Sequence, residues 1–128
     1  MRKKNLLYAE DNPDLRELFL TYSEKYLPEV EVVEVCKDGF SLEKRLQKGL
    51  EEIDLVLTDN QMPGSDGSDI IKKYARLPNF DKIPFILYYG GFEEIGKQAV
   101  RDGAFAYFKK PGHYPELIEL VKKALKIE

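Results

Sequence analysis

The stretch "LVLTDNQMPGSDG", Leu55–Gly67, decides how this chain is read. Leu55–Thr58 has the composition of a strand, and the run "IDLVLT" is apolar enough to be covered on both faces. It stops on a carboxylate, Asp59, followed by two amides, Met62-Pro63-Gly64 and a further Gly67. A strand that ends on a charge is common, because solvent begins where a sheet ends, and a lone Asp there is more often a turn residue than a nucleophile. An Asp held at a strand's carboxyl edge by a stiff loop is also how α/β folds present a reacting carboxylate. The flanking chain has to choose between the two.

Elements alternate on both sides of that stretch. Upstream, "NLLYA" (Asn5–Ala9) is a short strand closed by Glu10-Asp11. A helix follows, with Asn12 as N-cap, Pro13 at N1 and Leu15, Leu18, Phe19, Tyr22 and Tyr26 at helical spacing. "VEVVEVC" (Val30–Cys36) reads as an edge-like strand with Val30, Val32 and Cys36 on one side, although Val33 and Val35 blur the period. "FSLEKRLQKG" is a short helix with Gly49 at C′. Downstream, "SDIIKKYARL" is a helix expected to be capped by Ser68, and "IPFILYY" is a strand ended by Gly90-Gly91. "FEEIGKQAVRDG" is a weaker helix, because Gly96 costs about 1 kcal/mol relative to Ala. "AFAYFKK" is the last strand, and "YPELIELVKKALKI" the clearest helix, with acids in its first turn and lysines in its last.

Five strands alternating with five helices call for a parallel sheet with right-handed crossovers and helices on both faces. The 128 residues suit one domain, 1–128, with one core. In such a doubly wound sheet, chemistry sits beyond the carboxyl ends of the strands. Those ends carry Glu10 and Asp11, Asp59, Tyr89 with its glycines, and Lys109-Lys110.

Composition removes several functions. Residues 1–64 carry 9 Lys and Arg against 14 Asp and Glu, and residues 65–128 carry 11 against 9, so neither half has the basic stripe that nucleic acid requires. Cys36 is the only cysteine, which fits a reducing compartment and a buried inert thiol, and with a single histidine, His113, no zinc site is expected. No run approaches membrane-spanning length. The expectation is a cytoplasmic protein without direct nucleic-acid or membrane contact.

Three carboxylates and a lysine converging on one rim would raise one another's pKa values or demand a cation. Mg²⁺ meets that demand: it takes oxygen ligands and could bridge a carboxylate to an incoming phosphoryl group. The residues alone thus point to a Mg²⁺-assisted phosphoryl site with a carboxylate nucleophile.

The pieces "LLYAEDNP", "LVLTDNQMPGSDG" and "GAFAYFKKP", in this order and spacing, resemble the receiver domain of two-component response regulators over essentially the whole chain. The resemblance implies a flavodoxin-like fold with a five-stranded parallel sheet in the order 2-1-3-4-5. It implies that Asp59 accepts a phosphoryl group from a phosphohistidine of a sensor histidine kinase or phosphotransfer protein. Glu10, Asp11, Asp59 and the Gln61 carbonyl would hold Mg²⁺, and Lys110, before a cis Lys110–Pro111 bond, would contact the phosphoryl oxygen. Tyr107 falls where such domains carry an aromatic switch, and a partner would dock on the face of helix 4, strand 5 and helix 5. On this reading Asp59 ends its strand in order to be exposed. The chain would be a phosphoacceptor rather than a turnover enzyme. It closes just after its last helix, so output is expected through another protein, unless the chain is excised from a longer one.

One departure matters. The family usually places Thr or Ser where Tyr89 stands, and a phenol cannot replace that hydroxyl in place; Gly90 would then offer its N–H to the phosphoryl group instead. Asn60 is also atypical, since the position after the acceptor is usually apolar. These two residues support an alternative, a pseudo-receiver regulated without phosphorylation. A haloacid-dehalogenase-like phosphohydrolase would need a second Asp at Gln61, and a flavodoxin would find "EDNPD" repelling its phosphate.

Overall fold

The computed structural model describes residues 3–110 and 112–127. Strands β1 (Lys4–Ala9), β2 (Val30–Cys36), β3 (Leu55–Thr58), β4 (Phe85–Tyr89) and β5 (Ala106–Lys109) alternate with helices α1 (Pro13–Tyr26), α2 (Gly39–Gln47), α3 (Gly67–Tyr74), α4 (Glu93–Arg101) and α5 (Tyr114–Leu125). All paired strands are parallel and their order is β2-β1-β3-β4-β5. The order reverses between β1 and β3, so their carboxyl ends open a crevice, as expected of a doubly wound sheet.

Every residue of β3 and β4 is buried, which explains their unbroken apolar sequences. Alternation within the strands separates two cores. Leu6, Tyr8, Leu55, Leu57, Ile86 and Tyr88 pack against Phe19 of α1 and Leu117, Ile118 and Val121 of α5. Leu7, Val56, Phe85, Leu87 and Tyr89 pack against Leu42 and Leu46 of α2, Ile70 and Ile71 of α3 and Ala99 of α4.

The blurred period of β2 has a physical cause. Leu6 pairs with Val32 but Leu7 with Glu34, so Val33 is an extra residue in a bulge and stands 40% exposed. Asn12 caps α1 as expected, accepting from the N–H groups of Asp14 and Leu15. The expected cap of α3 is corrected: Ser68 lies inside the helix, and its N–H donates at 2.9 Å to Oδ1 of Asn60. Gly64 has φ +96° and a Cβ there would lie 2.8 Å from the Phe40 nitrogen, while Gly39 N–H donates to Pro63 O at 2.9 Å. The Met-Pro-Gly loop is therefore held against the start of α2 as well as by its own proline. Lys110–Pro111, expected to be cis, lies outside the described residues.

Candidate functional site

The carboxyl end of β1 presents Glu10 and Asp11. Glu10 N–H continues the sheet by donating to Cys36 O at 3.0 Å, and the Glu10 side chain is fully buried. From α1, Arg16 Nη1 donates to the carbonyls of Glu10 (2.9 Å) and Asp11 (3.0 Å), pinning the acidic pair from behind. Asp59 extends β3 in the same way, its N–H donating to Ala9 O at 2.9 Å. Its Oδ1 accepts from the Asn60 N–H at 2.8 Å and from Lys110 Nζ at 3.1 Å. The Asp59 side chain is only 9% exposed, so the strand end does not offer it to bulk solvent. It lies at the floor of a cavity of about 260 Å³ bordered by Glu10, Asp11, Gln61, Gly90 and Lys110.

Lys110 follows β5, and its N–H donates to Tyr89 O at 2.5 Å. Its ammonium reaches Glu10 Oε1 at 2.9 Å as well as Asp59, and lies 4.8 Å from the centre of the Tyr88 ring. Burial pushes the Glu10 carboxyl up to about 7, with Asp59 beside it adding to the rise and Lys110 opposing it. Burial alone would lower the Lys110 ammonium, but its contacts with Glu10 and Asp59 outweigh this and hold it above the ordinary lysine value. One cation thus faces two buried carboxylates, with a third, Asp11, beside them.

Carboxylate oxygens of Glu10, Asp11 and Asp59 lie within 4.8 Å of one another. In an octahedral Mg²⁺ shell with ligands at about 2.1 Å, neighbouring oxygens stand about 3.0 Å apart and opposite ones about 4.2 Å, so the three carboxylates would draw together by up to about 2 Å to share such an ion. The donor set is all oxygen and anionic, which suits a hard divalent cation.

Two residues read from the sequence as site residues stand elsewhere. Tyr89 is fully buried on the α4 side of the sheet, where its hydroxyl donates to Glu93 O at 3.2 Å. Tyr107 lies beside it, ring centres 6.2 Å apart, and donates to Glu93 Oε1 at 3.0 Å. Neither borders the acidic cavity, whereas Gly90 does. Side-chain alternation explains the split: a strand's last residue points to one face of the sheet, and only the residues beyond it reach the rim. The sequence reading passed over Arg16 and Tyr88. Arg16 sits one turn into α1, within side-chain reach of the strand-end carbonyls, and that spacing was the available signal. Tyr88 had none beyond its aromaticity.

The response regulator receiver domain family matches residues 6–122. Over 125 residues the chain is 31% identical to an uncharacterized 14.6 kDa protein of Leptolyngbya boryana, covering 96% of this chain and 91% of that one. It is 28% identical over 127 residues to the response regulator protein PilR of Pseudomonas aeruginosa, covering 99% of this chain but spanning only 27% of PilR. Its backbone is similar to the signal receiver domain of a DNA-binding response regulator from Colwellia psychrerythraea 34H, with TM-score 0.84, 22% identity, and 97% and 99% of the two chains covered.

Proposed function

The chain belongs to the response regulator receiver domain family, and from that premise we propose that Asp59 accepts a phosphoryl group from the phosphohistidine of a sensor histidine kinase or phosphotransfer protein. The observation that carries this reading is the meeting of Glu10, Asp11, Asp59 and Lys110 around one cavity. Oδ1 of Asp59 is occupied by the Asn60 N–H and by Lys110. Oδ2 takes no hydrogen bond from the described residues and is the attacking oxygen. The Oδ2–P bond forms as the N–P bond of the phosphohistidine breaks, and the electron pair of that bond stays on the imidazole nitrogen.

Glu10, Asp11, Asp59 and the Gln61 carbonyl would hold Mg²⁺, which supplies charge neutralisation to the transferring group. Lys110 adds a positive charge to the same side, already placed by Glu10. Gly90 leaves its N–H and open space beside the acceptor, since nothing lies within 4 Å of where its Cβ would be. The protein acts as a switched binding partner in the cytoplasm rather than as a turnover enzyme. Its output face is that of α4, β5 and α5, where Val100 and Phe105 are 40% and 44% exposed.

The position of Tyr89 favours a second reading, a pseudo-receiver, because its hydroxyl is turned to Glu93 O and no strand-end hydroxyl among the described residues borders the cavity. Intact mass after incubation with acetyl phosphate separates the two. One added phosphoryl group that requires Mg²⁺ and is absent from Asp59→Asn supports the acceptor; no adduct in the wild-type chain supports the pseudo-receiver.

A further inference from the structure

A second cavity, of about 510 Å³, runs as a groove between α3 and α4. Phe92 and Ile95 form its apolar part; Asp69, Glu94 and Asp102 border it, against a single ammonium from Lys72. Phe92 is 82% exposed while occupying the N-cap of α4, and it makes no side-chain cap bond. A Ser, Asp or Asn there would contribute about 1 kcal/mol to the helix. Local stability therefore does not account for an aromatic ring in water at this position.

The carboxylates are poorly satisfied by the protein itself. Asp69 has no hydrogen-bond or ion-pair partner among the described residues, and Asp102 accepts only from the Gln98 amide at 3.1 Å. Glu94 is paired with Arg101. Helical spacing places Glu94, Gln98 and Asp102 on one face of α4 and Val100 on another, so the groove is distinct from the face of α4, β5 and α5.

Both walls hang from the acidic cavity. On the α3 side, Asn60 directly follows Asp59; its carbonyl accepts the Gly67 N–H at 2.8 Å and its side chain the Ser68 N–H at 2.9 Å. On the α4 side, Phe92 stands two residues beyond Gly90, across Gly91 with φ +122°. A phosphoryl group on Oδ2 of Asp59 would make Oδ1, which holds the Asn60 N–H, the carbonyl oxygen of an acyl phosphate and so a weaker acceptor, and would fill the open space beside Gly90, so the roots of both walls feel the adduct.

We propose that the α3–α4 groove docks a basic amphipathic helix of a partner protein, and that phosphorylation of Asp59 changes its affinity. Phe92 and Ile95 take the apolar face of that helix, and Asp69 and Asp102 take its lysines or arginines. With Glu94 paired to Arg101, Asp69 and Asp102 against Lys72 leave the groove net negative, which favours a basic ligand over an acidic one or a nucleic acid. With 8 residues in α3 and 9 in α4, the walls are about 12–14 Å long, which spans about two and a half turns of a bound helix. The docking stands on the groove alone; its coupling rests on Asp59 being the acceptor.

The probe is a helical peptide of about 18 residues with leucines on one face and lysines on the other, titrated into ¹⁵N-labelled protein at physiological ionic strength. A scrambled peptide of the same composition is the control. Amide shifts should fall on residues 68–72 and 92–102, and the scrambled peptide should bind about fivefold more weakly or worse. Phe92→Ser and Asp69→Lys should each weaken binding by about fivefold, and acetyl phosphate with Mg²⁺ should change affinity by about threefold or more. Equal binding of the scrambled peptide, shifts centred elsewhere, or indifference to both substitutions overturns the docking. Intact mass of the same samples separates the two readings. If the adduct forms and affinity does not move, the coupling is overturned. If the peptide seats but no adduct forms, the docking stands and the acceptor reading falls.

Discussion

Gly96 lies so close beneath Tyr107 that a Cβ on it would stand 2.3 Å from Cδ2 of the ring, and 2.7 Å from the hydroxyl of Tyr89. The glycine that weakens α4 by propensity is what lets the helix settle on the two tyrosines.

Gly96→Ala should therefore destabilise the protein, although alanine is the better helix former by about 1 kcal/mol. Overpacking a filled site costs about 1–3 kcal/mol, so a net loss of about 1 kcal/mol is expected in urea unfolding. A gain in stability would show that α4 can shift away from β5 at little cost.

The position of Tyr89 changes what a Tyr89→Thr substitution can be expected to do. Read from sequence, that change should restore the usual hydroxyl and strengthen switching. In the folded protein it also empties a ring-sized volume from the core beside α4, at a cost of about 2–4 kcal/mol. Tyr89→Phe keeps the ring and loses only the hydrogen bond to Glu93 O, about 1 kcal/mol. Thermal unfolding of the two variants checks the order; a Thr variant as stable as the Phe variant would mean the ring is not core.

Asn60→Ala removes the acceptor of the Ser68 N–H and should lower stability by about 1 kcal/mol, as loss of a helix cap does. The damage should be local. Amide exchange should quicken in the first turn of α3 and stay unchanged in α5. Uniform acceleration in both helices would instead mark a global loss.

Glu10 makes the metal-free protein less stable as pH rises. Its ordinary carboxyl value of 4.5 is pushed up to about 7 by burial, so between these values the folded chain binds more protons than the unfolded one. The contribution is complete below about 4.5 and is lost as pH passes about 7. Asp38, Glu43 and Glu94, whose carboxyls are held below their ordinary values by Ser41, Lys73 and Arg101, act with the opposite sign in more acid solution. Denaturation midpoints of the wild type and Glu10→Gln, measured from pH 5 to 8 in chelator, should converge as pH falls if the wild type starts lower at pH 8. A pH-independent difference would place the titration elsewhere.

What the sequence settled was whatever depends on neighbours along the chain. Strand and helix periodicity gave the alternation that selects a parallel doubly wound sheet, and the carboxyl-end residues Glu10, Asp11, Asp59 and Lys110 followed from where each strand stops. The resemblance to receiver domains supplied the strand order, which the sheet bears out. Asn12 was legible because a cap acts over three residues.

Tertiary structure decided the rest, because those relationships join residues that no local rule connects. The bulge at Val33 depends on how β2 is matched to β1, and the cap of α3 comes from the far side of a loop. Lys110 meets Glu10, 100 residues earlier, only because β5 and β1 end at the same rim. Tyr89 ends a strand, as the sequence says, but which face its ring takes is fixed by the sheet, and whether that face can hold a phenol is fixed by the missing Cβ of Gly96.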